Sequence, residues 1–132
     1  MQFMENEIKF PSIENTYLKN LLNSFKYELQ ELQSVSVLDY PIEIPKRMMN
    51  IEINIIPPIK TELKNYLNWY TKNKQKINNT YNHYEQIKRY DKVENLLIKE
   101  NEYLRVVNDF INSFIVIYLE YKSIKINFIE FF

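Results

Sequence analysis

The sequence predicts a mainly α-helical protein: an elongated three-helix bundle on a long antiparallel helical hairpin, with a small two- or three-stranded β element at about 42–56 and 124–129. Three observations carry this expectation. Apolar residues recur with a seven-residue period across residues 63–121. Four of the five prolines crowd into residues 34–58. Short segments in that region and near the C-terminus alternate apolar with polar residues, the period of a strand with one buried face.

The first helix is expected at about 12–33. Ser12 can cap it, with Pro11 barring extension backwards, and Leu18, Leu21, Leu22, Phe25, Leu29 and Leu32 form one apolar stripe. Residues 34–58 read as a proline-rich extended or strand segment holding Ile42-Glu43-Ile44 and Ile51-Glu52-Ile53-Asn54-Ile55. Ile124-Lys125-Ile126-Asn127-Phe128 repeats the alternation within a C-terminal strand or tail at 123–132. Glu52 and Lys125 would then form a complementary cross-strand pair.

The hairpin follows. Pro58 suits the first turn of a helix, and Leu63, Tyr66, Tyr70, Ile77, Tyr84 and Ile87 mark its seam at about 58–89. Asn73 and Thr80 interrupt that seam, so a kink or break near 78–79 is expected. Asp91 with Glu94 resembles a capping box opening the next helix, at about 92–121. Its seam is Val93, Leu96, Tyr103, Val107, Phe110, Phe114, Ile117 and Tyr121. Leu97, Leu104, Ile111 and Tyr118 widen that stripe, as in a helix buried on more than one side. Glu100 is the charged residue at a central position, where it can fix helix register.

The length, 132 residues, suits one domain with a core that needs no staples. Ile, Asn, Lys, Tyr and Phe supply just over half of it, a bias we read as AT-rich coding. There is no Gly, no Ala and no Cys. Glycine-dependent phosphate loops, dinucleotide fingerprints and nucleophile elbows are therefore excluded, as are disulfides and thiolate metal sites. A single His, His83, removes most all-protein zinc and di-iron arrangements. Glu85 lies about 200° round a helix from His83 and no second His is available for a metal or a relay, and the carboxylate pairs Glu28/Glu31 and Glu100/Glu102 sit on helices without a marked pocket. No enzyme and no cofactor are expected. The most apolar stretch, Phe110–Leu119, is about half the length a bilayer requires. The N-terminus has no secretory pattern. A soluble intracellular protein is expected, its compartment open.

Net charge is zero but uneven. Residues 1–59 hold five bases and eight acids, residues 60–92 eight bases and three acids, and residues 93–132 four bases and six acids. The basic middle is also aromatic. Lysines beside rings suit phosphates beside unpaired bases, so Trp69, Lys72, Lys74, Lys76, Tyr81, Lys88 and Arg89 are candidates for contact with RNA or single-stranded DNA. The tail residues Phe128, Ile129, Phe131 and Phe132 are candidates for a protein interface, because no single strand orientation hides them all. The leading expectation is a non-catalytic adaptor or structural subunit of a larger assembly, with hetero-complexes favoured over homo-oligomers. A nucleic-acid-associated module is the alternative.

Overall fold

The computed structural model of the chain describes residues 8–131. Four α-helices dominate: α1 (Thr16–Ser34), α2 (Tyr40–Asn50), α3 (Ile56–Gln86) and α4 (Tyr90–Phe131). A 3₁₀ turn (Val37–Asp39) leads into α2, and a π turn (Ile51–Ile55) joins α2 to α3 without a break. The molecule is thus built on three helical bodies: α1, the composite rod from Val37 to Gln86, and α4. At 1.5 Å per residue, the 42 residues of α4 span about 63 Å. No helix among the described residues is long and apolar enough to cross a membrane.

No strand occurs among the described residues, which corrects the expected β element at 42–56 and 124–129. The alternating segments are helical. Ile51 and Ile55 are four apart and both buried, a spacing that fits one face of a helix as well as one face of a strand. Ile53 and Ile42, which a strand would turn inward with their neighbours, are exposed. Ile124 and Phe128 repeat the four-residue step on α4, with Ile126 outside. Glu52 and Lys125 do meet, at 2.7 Å, but across two helical bodies.

The prolines fit because the backbone widens before them. Ile56 N–H donates to the carbonyl of Ile51, five residues back. That wider turn makes room where Pro57 and Pro58 cannot donate and would crowd the preceding carbonyls. Pro41 sits in the first turn of α2, where its missing N–H costs nothing. Pro45 lies inside α2 and is exposed.

α1 begins later than expected. Its cap is Asn15, whose Oδ1 accepts from Leu18 N–H at 2.8 Å. Residues 8–15 instead form a strap along the hairpin. Phe10 packs on Trp69 and Tyr103 (5.1 and 5.5 Å between ring centroids), and the Ser12 carbonyl accepts from the Tyr66 hydroxyl. Asn15 Nδ2 donates to Glu62 at 2.8 Å, while Arg47 meets Glu28 at 3.2 Å. Those two ties run α1 antiparallel to the α2–α3 rod, and hence alongside α4 in the same direction.

α3 and α4 form the expected antiparallel hairpin. α3 passes unbroken through Asn78 and Asn79, correcting the expected break. The polar seam positions satisfy themselves: Thr80 Oγ1 donates to the Lys76 carbonyl, and Asn73 Nδ2 to that of Trp69. Helix α4 opens at Tyr90, so Asp91 lies inside its first turn rather than capping it. Arg89 grips the Asp91 carboxylate at 2.9 and 3.1 Å and holds it down at about 2.

The main core gathers Leu18, Phe25 and Leu32 of α1, Ile51 and Ile59 of the rod, and Tyr103, Phe114 and Tyr121 of α4. A smaller cluster of Ile8, Ile77, Tyr84 and Leu96 closes the hairpin end that α1 does not reach.

Candidate interaction surface

The basic, aromatic segment does not come together as one face. Trp69 is half-buried between Phe10 and Tyr103, 5.1 and 5.2 Å from their rings, so its faces are occupied. Lys72 and Lys76 are exposed and four apart, on one side of α3. Lys74 lies about 200° round the helix from each of them. It donates to the Tyr70 hydroxyl at 2.9 Å and stands 3.6 Å from Glu100. Lys88 and Arg89 are in the α3–α4 turn, and Arg89 is paired with Asp91.

Glu100 is the centre of a buried polar network. Only 8% of it is exposed. Its carboxylate accepts from the Tyr70 hydroxyl at 3.2 Å and the Tyr81 hydroxyl at 3.4 Å, with Lys74 at the edge. Burial, then the nearby Glu100 charge, pushes the Tyr81 hydroxyl up to about 12. The Tyr70 and Tyr81 hydroxyls both donate to this one carboxylate, and Lys74 in turn donates to Tyr70. The network links α3 to α4 at the central position Glu100 occupies.

A second network ties α4 to the π turn. The fully buried Tyr121 donates to Glu52 at 2.8 Å, and Lys125 holds the other carboxylate oxygen at 2.7 Å. The Lys125 bond leads in keeping Glu52 below the usual carboxylate range. Burial also raises the Tyr103 hydroxyl to about 12, and that hydroxyl donates to the Tyr66 carbonyl at 2.6 Å. Among the described residues, no group of three or more His, Asp or Glu could hold a metal ion.

The expected C-terminal cluster is divided by helical geometry. Phe128 turns inward, edge-on to Tyr40 at 5.3 Å, while Ile129 faces out. The Phe131 side chain and Phe132 lie outside the described residues.

Among the described residues, two apolar surfaces stand open instead. One is the groove between α3 and α4 on the side away from α1. Leu67, Asn101, Leu104, Arg105, Asn108 and Ile111 line it over a floor of Val107, enclosing about 500 Å³. Leu97 and Leu104, expected to be buried against a second neighbour, are 46% and 37% exposed. The sequence marked this stripe; it could not show that no described part of the chain covers it. The other surface was missed. Leu38, Ile42, Pro45, Met49 and Ile53 run along the outside of α2 and the π turn, with Leu38 at 91% and Ile42 at 73% exposure. Their steps of four, three, four and four residues were the available signal, hidden by the reading of this segment as a strand.

Comparison of the chain with protein-family models, curated proteins and solved structures found no match.

Proposed function

We propose that this chain is a non-catalytic adaptor or structural subunit of a larger protein assembly, and that it works through its helical surfaces and the exposed apolar positions near the end of α4. The observation that carries the reading is the open α3–α4 groove. A heptad-spaced apolar stripe flanked by a second helix is what a partner helix packs against. Leaving such area in water is unfavourable at roughly 25 cal/mol per Å². The buried polar groups support a non-catalytic role, because Glu100 is engaged by the Tyr70 and Tyr81 hydroxyls and the Tyr66 hydroxyl by the Ser12 carbonyl.

The second reading, contact with RNA or single-stranded DNA, is favoured by exposed Lys72 and Lys76 together with Lys88 at the hairpin turn. One experiment separates the two. The tagged chain is used to capture partners from its native extract, with and without nuclease, followed by mass spectrometry and light scattering. Stoichiometric protein partners that persist after nuclease are expected. Loss of all partners on nuclease treatment would shift the assignment to nucleic acid. A lone monomer in both arms would overturn both readings.

A further inference from the structure

We infer that the α3–α4 groove seats one amphipathic helix from a different polypeptide, with an apolar stripe flanked by acidic residues. This deepens the subunit reading and rests on it.

The groove's shape selects a helix. Its α4 wall repeats every seven residues through Leu97, Leu104 and Ile111, and Asn101 and Asn108 repeat with the same period beside them. Knobs entering such holes must share that period, which an extended peptide or a phosphate backbone does not. Asn101 and Asn108 give the occupant two polar positions at which to set register. From Leu97 to Tyr118 the wall is about 32 Å long, so about three heptads of partner helix cover it.

Charge selects the flanks. By helix periodicity Lys60 and Lys64 of α3 lie on the side of Leu67, and Lys122 of α4 on the side of Leu104, while Lys74, also on that side, is spent on Tyr70 and Glu100. Lys60 and Lys122 both lie over the Tyr118 ring, at 5.7 and 5.2 Å, which places them at one end of the groove. The carboxylates of this stretch are already engaged. Glu62 is turned to Asn15, Glu102 and Asp109 stand beside Ile13 and Lys19, and Glu100 is buried and satisfied. Arg105 lines the groove but is held by Glu102 and Asp109 at 2.7 and 3.1 Å. The rim therefore keeps a net positive charge at its Tyr118 end, where Lys60, Lys64 and Lys122 outnumber Glu52, a carboxylate already held by Lys125 and Tyr121. A second copy would bring lysine rims together around the same groove, so the geometry points to a different, acidic partner.

The test uses the isotope-labelled full chain and two synthetic peptides of about three heptads. Both carry the same Leu/Ile stripe; one has Glu at the flanking positions and the other Lys. The Glu peptide is expected to shift the amide signals of Leu67, Leu104 and Ile111. The Lys peptide should bind about tenfold more weakly or less, as several exposed ion pairs of modest strength would give. The triple variant Lys60→Glu, Lys64→Glu, Lys122→Glu should reverse the preference. Leu67→Ser with Leu104→Ser should abolish binding with an unchanged circular-dichroism spectrum, since both residues are exposed. Binding of neither peptide, equal binding of both, or self-association through these same residues would overturn the inference. If partners captured from extract survive Leu67→Ser/Leu104→Ser but are lost with Leu38→Ser/Ile42→Ser, the groove assignment fails while the subunit reading stands. If the unaltered chain captures nothing, the subunit reading fails with it.

Discussion

At the residue scale, the absence of glycine has a location. Lys88 has φ 57°, the left-handed conformation, at the end of α3. Arg89 N–H reaches back to the Tyr84 carbonyl at 2.9 Å and Lys88 N–H to that of Glu85 at 3.1 Å. That pair of bonds closes a helix terminus in which glycine is the usual occupant, since a Cβ there crowds the following carbonyl. The strain, about 1–2 kcal/mol for an ordinary residue, persists because the hairpin must turn here. Lys88→Gly relieves it and adds only glycine's smaller entropic cost in the unfolded chain. The expected outcome is a gain of about 0.5–1 kcal/mol in unfolding free energy, read from urea denaturation. A loss of stability would mean the lysine side chain contributes more at this turn than its backbone costs.

At the scale of elements, the π turn with its prolines is where local sequence and tertiary contact disagree. Glu52 is the hinge of that contact, accepting from Tyr121 and Lys125 at once. The two donors differ in what their loss costs. Glu52→Ala leaves the hydroxyl of Tyr121, wholly buried, without its acceptor, at about 1–3 kcal/mol. Lys125→Ala removes a partly exposed ion pair worth about 0–1 kcal/mol and leaves the hydroxyl bond intact. Denaturant midpoints should therefore fall clearly for Glu52→Ala and little for Lys125→Ala; the reverse order would mean that the ion pair anchors the turn. The same site explains what could be read in advance. Long seams such as Leu63 to Tyr84 and Leu96 to Tyr121 were legible because many turns of one period admit one element type. Five residues of Ile-x-Ile-x-Ile do not, because a step of four serves a strand and a helix equally. Prolines tipped the reading towards extended chain, and tertiary contacts, from α1 on Ile51 and Ile55 and from Tyr121 and Lys125 of α4 on Glu52, hold the segment in a widened helix. The groove was half legible for a related reason: spacing marks an apolar stripe, whereas its cover depends on where α1 lies.

On the scale of the whole molecule, the helices differ in length, and that difference divides the core. α1 has 19 residues and α4 has 42, so α1 covers only part of the hairpin. Where it reaches, three bodies interlock around Phe25, Ile59, Phe114 and Tyr121. Beyond it, Ile77, Tyr84 and Leu96 are buried with Ile8 as their cover, and Phe10 and Trp69 bridge the two clusters. Two helices and a strap bury less apolar area per residue than three helices do, so the hairpin end is the region expected to open first. Ile8→Ser tests this division. It removes the apolar cover from the distal cluster while leaving α1 and its ties to Glu62 and Arg47 in place. Native-state hydrogen exchange should speed up across residues 77–96 in the variant. Amides of residues 56–66 and 107–121 should keep their protection, because opening the hairpin end does not require parting the three-helix region. Faster exchange everywhere would mean that the strap stabilises the fold globally and that the two clusters unfold as one. No change anywhere would mean that Ile77, Tyr84 and Leu96 hold the hairpin end without their cover. The expected local response would make the hairpin end an independently opening unit, and the strap, not α1, the element that governs it.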